Sequence, residues 1–312
     1  MSACRPLKSH LIVLITTGLI SMYWGCEPPP APGSAFAPQT FAGAPGGQGA
    51  PGGGGAMVAL TPLPSLDGTW LHLSEVSTCV DLGSSIEQLN RTLYLVHSEQ
   101  RAHGALVERW EACEIELTPV ISIQASVPEA LRASVYPLET DMGQTVGVGL
   151  ERRYSSGALV ELWGVRLERP ASDPFPTAPD DERILDLDAD GHPGATLLVG
   201  SACEAYLAQR RVTHFVGQQV AFGRLEGEAL SSTEQLIVDA SSPICKTPYQ
   251  TRSHPARSRW TRVRVDGASG APSYDLNEDG EVSCDELRSA RAELFELLTP
   301  DDSSCRVQSP NP

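Results

Sequence analysis

The sequence predicts a mainly β fold, an antiparallel barrel or sandwich, followed by a short helical tail. Runs rich in β-branched and aromatic residues recur at near-regular spacing between residues 61 and 270. Clusters of Gly, Ser and Pro bound those runs, as turns between strands require. A helix-period apolar stripe appears near the C-terminus, at Leu287, Ala290, Leu294, Leu297 and Leu298.

Taken in order, LDGTWLHLSEV alternates apolar and polar residues after a turn and reads as the first strand. The segment RTLYLVHSEQRAHGALVERWEACEIELTPVISI reads as a strand, a turn at Ala102-His103-Gly104, and a returning strand. VPEALRASVYPLE, residues 127–139, predicts a short helix with Pro128 in its first turn. VGVGLERRYSSGALVELWGVRLERP predicts a second hairpin turning at Ser155-Ser156-Gly157. ATLLVGSACEAYLAQRRVTHFVGQQVAFGRLEGEAL, TEQLIVDAS and RWTRVRV supply further strands. Roughly eight or more strands over about 200 residues fit a barrel or a sandwich.

Two segments precede this domain. Residues 1–26 carry a positive start at Arg5 and Lys8 and an apolar run from Leu11 to Trp24. That run has the length of a signal-peptide core and is short for a membrane span. Gly25-Cys26 follows. Together these features resemble a bacterial lipoprotein signal, which implies cleavage before Cys26, lipidation of its thiol, and an exported protein held to the cell envelope. Residues 27–60 are dominated by Pro and Gly without periodicity, a composition that forms a disordered tether and not a core. The domain organisation expected is therefore a signal (1–26), a tether (27–60), a β-rich domain (61–270) and a calcium loop with its helix (271–312).

The formal net charge is −16, and loss of residues 1–26 removes Arg5 and Lys8 and no acid, which leaves −18. Such a surface repels nucleic acid and anionic lipid headgroups and attracts divalent cations, so the membrane contact expected is through the lipid anchor only. Of the eight cysteines, Cys4 lies in the signal and Cys26 is the lipidation residue. The remaining six predict three disulfides in an oxidising compartment, and sequence allows fifteen connectivities. The nearest-neighbour scheme pairs Cys79 with Cys113, Cys203 with Cys245, and Cys284 with Cys305. No C-x-x-C occurs, which argues against zinc or thioredoxin-type chemistry.

The stretch YDLNEDGEVSCDEL carries the clearest chemistry. Asp275, Asn277 and Asp279 alternate, Gly280 stands sixth, and Glu286 stands twelfth. Calcium takes six to eight oxygen ligands, and a curling loop aims alternate side chains inward. The loop is similar to an EF-hand loop, closer to dockerin-like and other extracellular calcium loops because no helix is predicted before it. That resemblance implies Asp275, Asn277, Asp279, the Glu281 carbonyl, Ser283 and Glu286 as ligands. The plain alternative is an acidic cap on the following helix. A partial echo, DLDADGHPGATLLV, places Asp186, Asp188 and Asp190 in the same alternation before Gly191. It resembles the DxDxDG loops of extracellular repeat proteins. Leu197 occupies its twelfth position, so Asp180, Asp181 or water must complete it; the alternative is a turn capped by its own Asp side chains.

Gly68 and Trp70 in the first strand resemble the opening G-x-W of lipocalin-like barrels, which implies a barrel with an interior for a small apolar ligand, lined by residues such as Trp110, Trp163 and Phe222. A filled interior remains the competing expectation. No G-x-S-x-G, H-E-x-x-H, P-loop or strand-linked G-x-G-x-x-G is present, and the histidines are scattered. The functional expectation is a non-catalytic binding module with structural calcium. The alternatives are an envelope structural or adhesion module, and a hydrolase whose carboxylates or Ser-His pair meet only in space.

Overall fold

Alternating strand sequences must hydrogen-bond laterally, and here they do so in one large antiparallel sheet. The computed structural model describes residues 65–81, 85–120, 124–147, 149–201, 203–246, 250–298 and Cys305. Cys26 and the two segments before the domain lie outside these residues. The strands are β1 (Gly68–Asp81), β2 (Ser85–Gln100), β3 (Ala105–Leu117), β4 (Ala125–Ser126), β5 (Leu138–Val146), β6 (Arg153–Trp163), β7 (Ala195–Val199), β8 (Cys203–Ala221), β9 (Arg224–Ala240), β10 (Gln250–Ser253) and β11 (Arg259–Arg264). The helices are α1 (Glu129–Val135), α2 (Cys284–Ser289) and α3 (Arg291–Phe295).

The pairings form a circuit. β1 joins β2, β2 joins β3, β3 joins β5, β5 joins β6, β6 joins β8, β8 joins β9, β9 joins β11, and β11 returns to β1. β10 extends β1, while β4 and β7 bridge β3 to β8. The turn expected at Ala102-His103-Gly104 is present between β2 and β3, and α1 forms within the stretch expected to be helical.

The turn expected at Ser155-Ser156-Gly157 is instead a bulge inside β6, where the register to β8 shifts between Ser155 and Ala158. Ser156 is buried and its hydroxyl accepts from the Phe215 N–H at 3.1 Å, so the extra residue has a partner within the sheet. Gly157 has φ +72°, and a Cβ there would lie 2.6 Å from Met142 Cβ, so only glycine fits. The chain reverses earlier, at the single turn Gly149–Glu151.

Both faces of β1 and β2 are covered. Leu71, Leu73, Leu93 and Leu95 pack under the C-terminal tail, against Val282, Leu287, Leu294 and Leu298. Trp70, Val76, Tyr94 and Val96 point the other way, into the largest core, with Trp110, Tyr154, Phe215 and Trp260. The tail helix is broken at Ala290 and does not run continuously. Ser289 donates its hydroxyl to the Glu286 carbonyl at 2.6 Å, a local bond that competes with helix propagation.

The docked tail redirects the disulfides. Cys203–Cys245 forms as expected, but the other two pairs are Cys79–Cys305 and Cys113–Cys284. With α2 lying on the outer face of β1–β3, Cys284 meets β3 and Cys305 returns to β1. The nearest-neighbour scheme treated the tail as a separate segment, and packing overrules it.

The main core also buries charge. Arg262 pairs with Glu108 at 2.6 Å, both fully buried, and Glu108 accepts from Tyr154 Oη at 2.9 Å and Ser98 Oγ at 3.0 Å. The Arg262 guanidinium lies 4.9 Å from the Trp110 ring centre and 4.8 Å from that of Tyr154. A second pair, Arg211 and Glu161, takes hydrogen bonds from Tyr94 and Tyr136. His72 is stacked on Trp260 at 5.1 Å and wedged beside Phe215 at 4.3 Å and Trp110 at 4.9 Å. Neither of its ring nitrogens has a hydrogen-bond partner. Burial, aided by the Arg262 charge, holds His72 well below the usual histidine range, so it is neutral in the fold.

That has a measurable outcome. The unfolded chain takes up a proton near the ordinary value of 6.5 and the folded chain does not. Stability is therefore present above that pH and is lost as the pH falls below it, at about 1.4 kcal/mol per pH unit for this group. Urea unfolding between neutral and mildly acidic pH should show this slope, and His72→Phe should flatten it.

Candidate metal centre

The loop Asp275–Glu286 is held by its two ends. Tyr274 N–H donates to the Val265 carbonyl at 3.1 Å, Val282 is buried among the leucines of β1 and β2, and Cys284 is bonded to Cys113 of β3. Between these anchors the backbone curls inward. Asp275 accepts from Asp279 N–H at 3.1 Å and Gly280 N–H at 2.9 Å, and Asp279 accepts from Glu281 N–H at 2.9 Å. Glu278 and Gly280 adopt positive φ, 60° and 93°.

The second loop repeats this wiring. Asp186 accepts from Asp190 N–H at 3.2 Å and Gly191 N–H at 2.9 Å, and Asp190 accepts from His192 N–H at 2.9 Å. Ala189 and Gly191 adopt positive φ, 59° and 91°. Positions one, four, five, six and seven thus match in backbone and hydrogen bonding across loops joined to different elements. Asp186, Asp188 and Asp190 each place a carboxylate oxygen within 4.8 Å of the other two. Asp188 Oδ1 is buried without a hydrogen-bond partner, while Oδ2 accepts from Thr196 N–H at 2.8 Å. Burial pushes the Asp188 carboxyl above its ordinary value, and the charges of Asp190 and Asp186 add to that, against the Thr196 bond.

The two loops differ in how they finish. Glu286 lies at the N-terminus of α2, where Ser283 is the cap: Ser283 N–H and Oγ both donate to Glu286 Oε2 at 2.8 Å. Its Oε1 accepts from Leu276 N–H at 2.7 Å and Asn277 N–H at 3.1 Å. The Ser283 hydroxyl and N–H hold the Glu286 carboxyl below its usual value. So the carboxylate that completes the capping box with Ser283 also closes the loop. Asn277 donates to Asp279 Oδ2 at 3.0 Å, and among the described residues this loop forms no three-acid cluster of the kind seen at Asp186.

Of the acids expected to complete the Asp186 loop, Asp181 is held by Arg183 at 2.7 Å, and that guanidinium lowers its carboxyl to about 2. Thr196 lies across the loop and donates its hydroxyl to Asp190. Both donor sets are hard oxygen, suited to calcium and not to a softer metal. Cys79, His254 and Cys305 also approach one another, but the two sulfurs are joined in a disulfide and are not thiolate ligands.

The residues expected to line a shared pocket are placed apart. Trp110 belongs to the main core, Trp163 packs with Leu131, Ala195 and Leu207, and Phe222 is exposed beyond β8. The buried set His72, Glu108, Glu161, Arg211 and Arg262 was not anticipated from sequence. No protein-family model, no curated protein and no solved structure matches this chain at a significant level.

Proposed function

We propose that this is an exported, lipid-anchored β-domain protein of the bacterial cell envelope, with structural calcium in two loops and a role in binding and not in chemistry. The observation that carries the calcium reading is the shared wiring of the two loops, with Asp275 and Asp186 gathering the same N–H groups in the same order. Asp275, Asn277, Asp279, the Glu281 carbonyl, Ser283 and Glu286 would hold one ion; Asp186, Asp188 and Asp190 would hold the other. Calcium there would supply the countercharge that the clustered carboxylates lack. The three disulfides support an oxidising address, and the closed circuit of pairings favours a barrel over a sandwich.

The alternative of a structural or adhesion module, with no internal ligand, has its own support. Trp110, Trp260, Phe215 and Arg262 are fully buried side chains that occupy the interior. A working surface is then on the outside of the sheet or at its ends.

Thermal unfolding of the full chain in calcium and in chelator tests the ion sites. A site held at a hundredfold its Kd should raise Tm by about 5–10 °C. Glu286→Gln and Asp188→Asn should each remove part of that rise. Equal Tm values in calcium and chelator would overturn the calcium reading. Lipidation is read separately, as the mass of the N-terminal peptide and its loss in Cys26→Ser.

A further inference from the structure

We propose that one end of the sheet, the end where the N-terminal chain enters, is a docking face for a lipid bilayer. The pairings identify that end without ambiguity. Gly68 pairs Ser98, Ala105 pairs Gln144, Val146 pairs Arg153, Arg153 pairs Gln218, Ala221 pairs Arg224, and Arg264 pairs Trp70. The start of β1, the turns β2–β3, β5–β6 and β8–β9, and the end of β11 are therefore neighbours around one rim.

Large apolar side chains are exposed on this rim. Val146 is 61% exposed, Leu150 60%, Phe222 52% and Val220 37%. They belong to adjacent turns: the Arg152 carbonyl accepts from Gln219 N–H at 2.8 Å, which ties the β5–β6 turn to the end of β8. Exposed apolar side chains at adjacent hairpin tips, with no core role, mark a surface that is covered in use. Charge on the rim is balanced: Arg101 pairs with Glu99, Arg224 with Glu226 and Arg264 with Asp266, while Arg153 and Glu151 are both exposed and Arg152 is buried. An apolar tip among balanced charges suits a bilayer interface, which buries such side chains at the headgroup boundary.

The preceding chain argues for lipid as the occupant. It reaches the domain at this rim, where Leu66 N–H donates to Gln100 Oε1 at 2.8 Å and Arg264 Nη1 donates to the Ser65 carbonyl at 3.3 Å. The sequence places 38 residues rich in Gly and Pro between Cys26 and Ser65, and a flexible chain of that length would reach on the order of 35 Å. A lipid on Cys26 would thus draw this end, and not the opposite one, to the membrane. The proposal deepens the anchored reading and rests on it for that pull. The apolar tips then convert a loose tether into a fixed orientation.

Hydrogen exchange of the full chain, alone and on vesicles of phosphatidylethanolamine and phosphatidylglycerol, tests it. Exchange should slow severalfold on vesicles in the turns 147–153 and 219–224, and should not change in the opposite-end turn 241–246. Leu150→Asp with Phe222→Asp should abolish the slowing and leave Tm unchanged, since both side chains are exposed. A protein that stays on the vesicles with no slowing in those turns overturns the docking face and leaves the anchor standing. A protein that does not bind vesicles overturns both. Slowing that appears without lipid and grows with protein concentration overturns it in favour of a second copy of the chain.

Discussion

Glu108→Ala is expected to destabilise the protein by about 3–5 kcal/mol, the range found when one partner of a buried ion pair is removed. Arg262 would keep its charge in a site with no exposure to water, between the rings of Trp110 and Tyr154. Its Nε and Nη2 already lack partners, so Glu108 is the carboxylate that balances it. Tyr154 and Ser98 would lose their acceptor as well. Urea unfolding should show a lower midpoint with an unchanged slope. Replacing both partners together, Glu108→Leu with Arg262→Met, should recover most of the loss, because the cost lies in the orphaned charge. A single-variant loss below about 1 kcal/mol would mean that water reaches the pair.

Cys113→Ser is expected to cost about 2–5 kcal/mol, the span for a native disulfide. It closes a sequence separation of 171 residues and fixes α2 on β3. The Cys79–Cys305 bond still encloses the same segment, which pulls the expectation toward the lower end of that span. The effect should be local as well as global. Cys284 stands tenth in the Asp275 loop, so its release loosens the stretch between Val282 and Glu286. Calcium affinity at that loop should fall while the Asp186 loop is unaffected. A variant that melts lower but binds calcium unchanged at both loops would show that Val282 and Leu287 suffice to hold the site.

The strand content was legible because pleated, half-buried strands write their periodicity into sequence, and β1 to β3 and the turn at His103 follow from it directly. The assignment of faces did not follow. In β1 the leucines at 71 and 73 face the tail, while His72 and Ser74 face the interior with Trp70 and Val76. Polar residues at the inward positions inverted the usual rule, so the buried charges went unseen. A signal was present: His72, Glu108, Glu161 and Arg262 each stand two residues from a tryptophan, Trp70, Trp110, Trp163 and Trp260. In a strand, that spacing puts both side chains on one face.

The loops were legible for the opposite reason. Alternating acids before glycine set a local backbone, and Asp275 and Asp186 impose it through contacts within six residues. The bulge at Gly157 and the crossed disulfides depend on partners far along the chain, Phe215 and β3, which no local pattern records.

The most direct test of the account is calcium titration of the full chain by calorimetry, alongside Glu286→Gln and Asp188→Asn. The account predicts two ions bound to the wild type and one to each variant, with the double variant silent. Absence of binding heat in the wild type at millimolar calcium, with no change in stability, would contradict it and reduce both loops to turns capped by their own carboxylates.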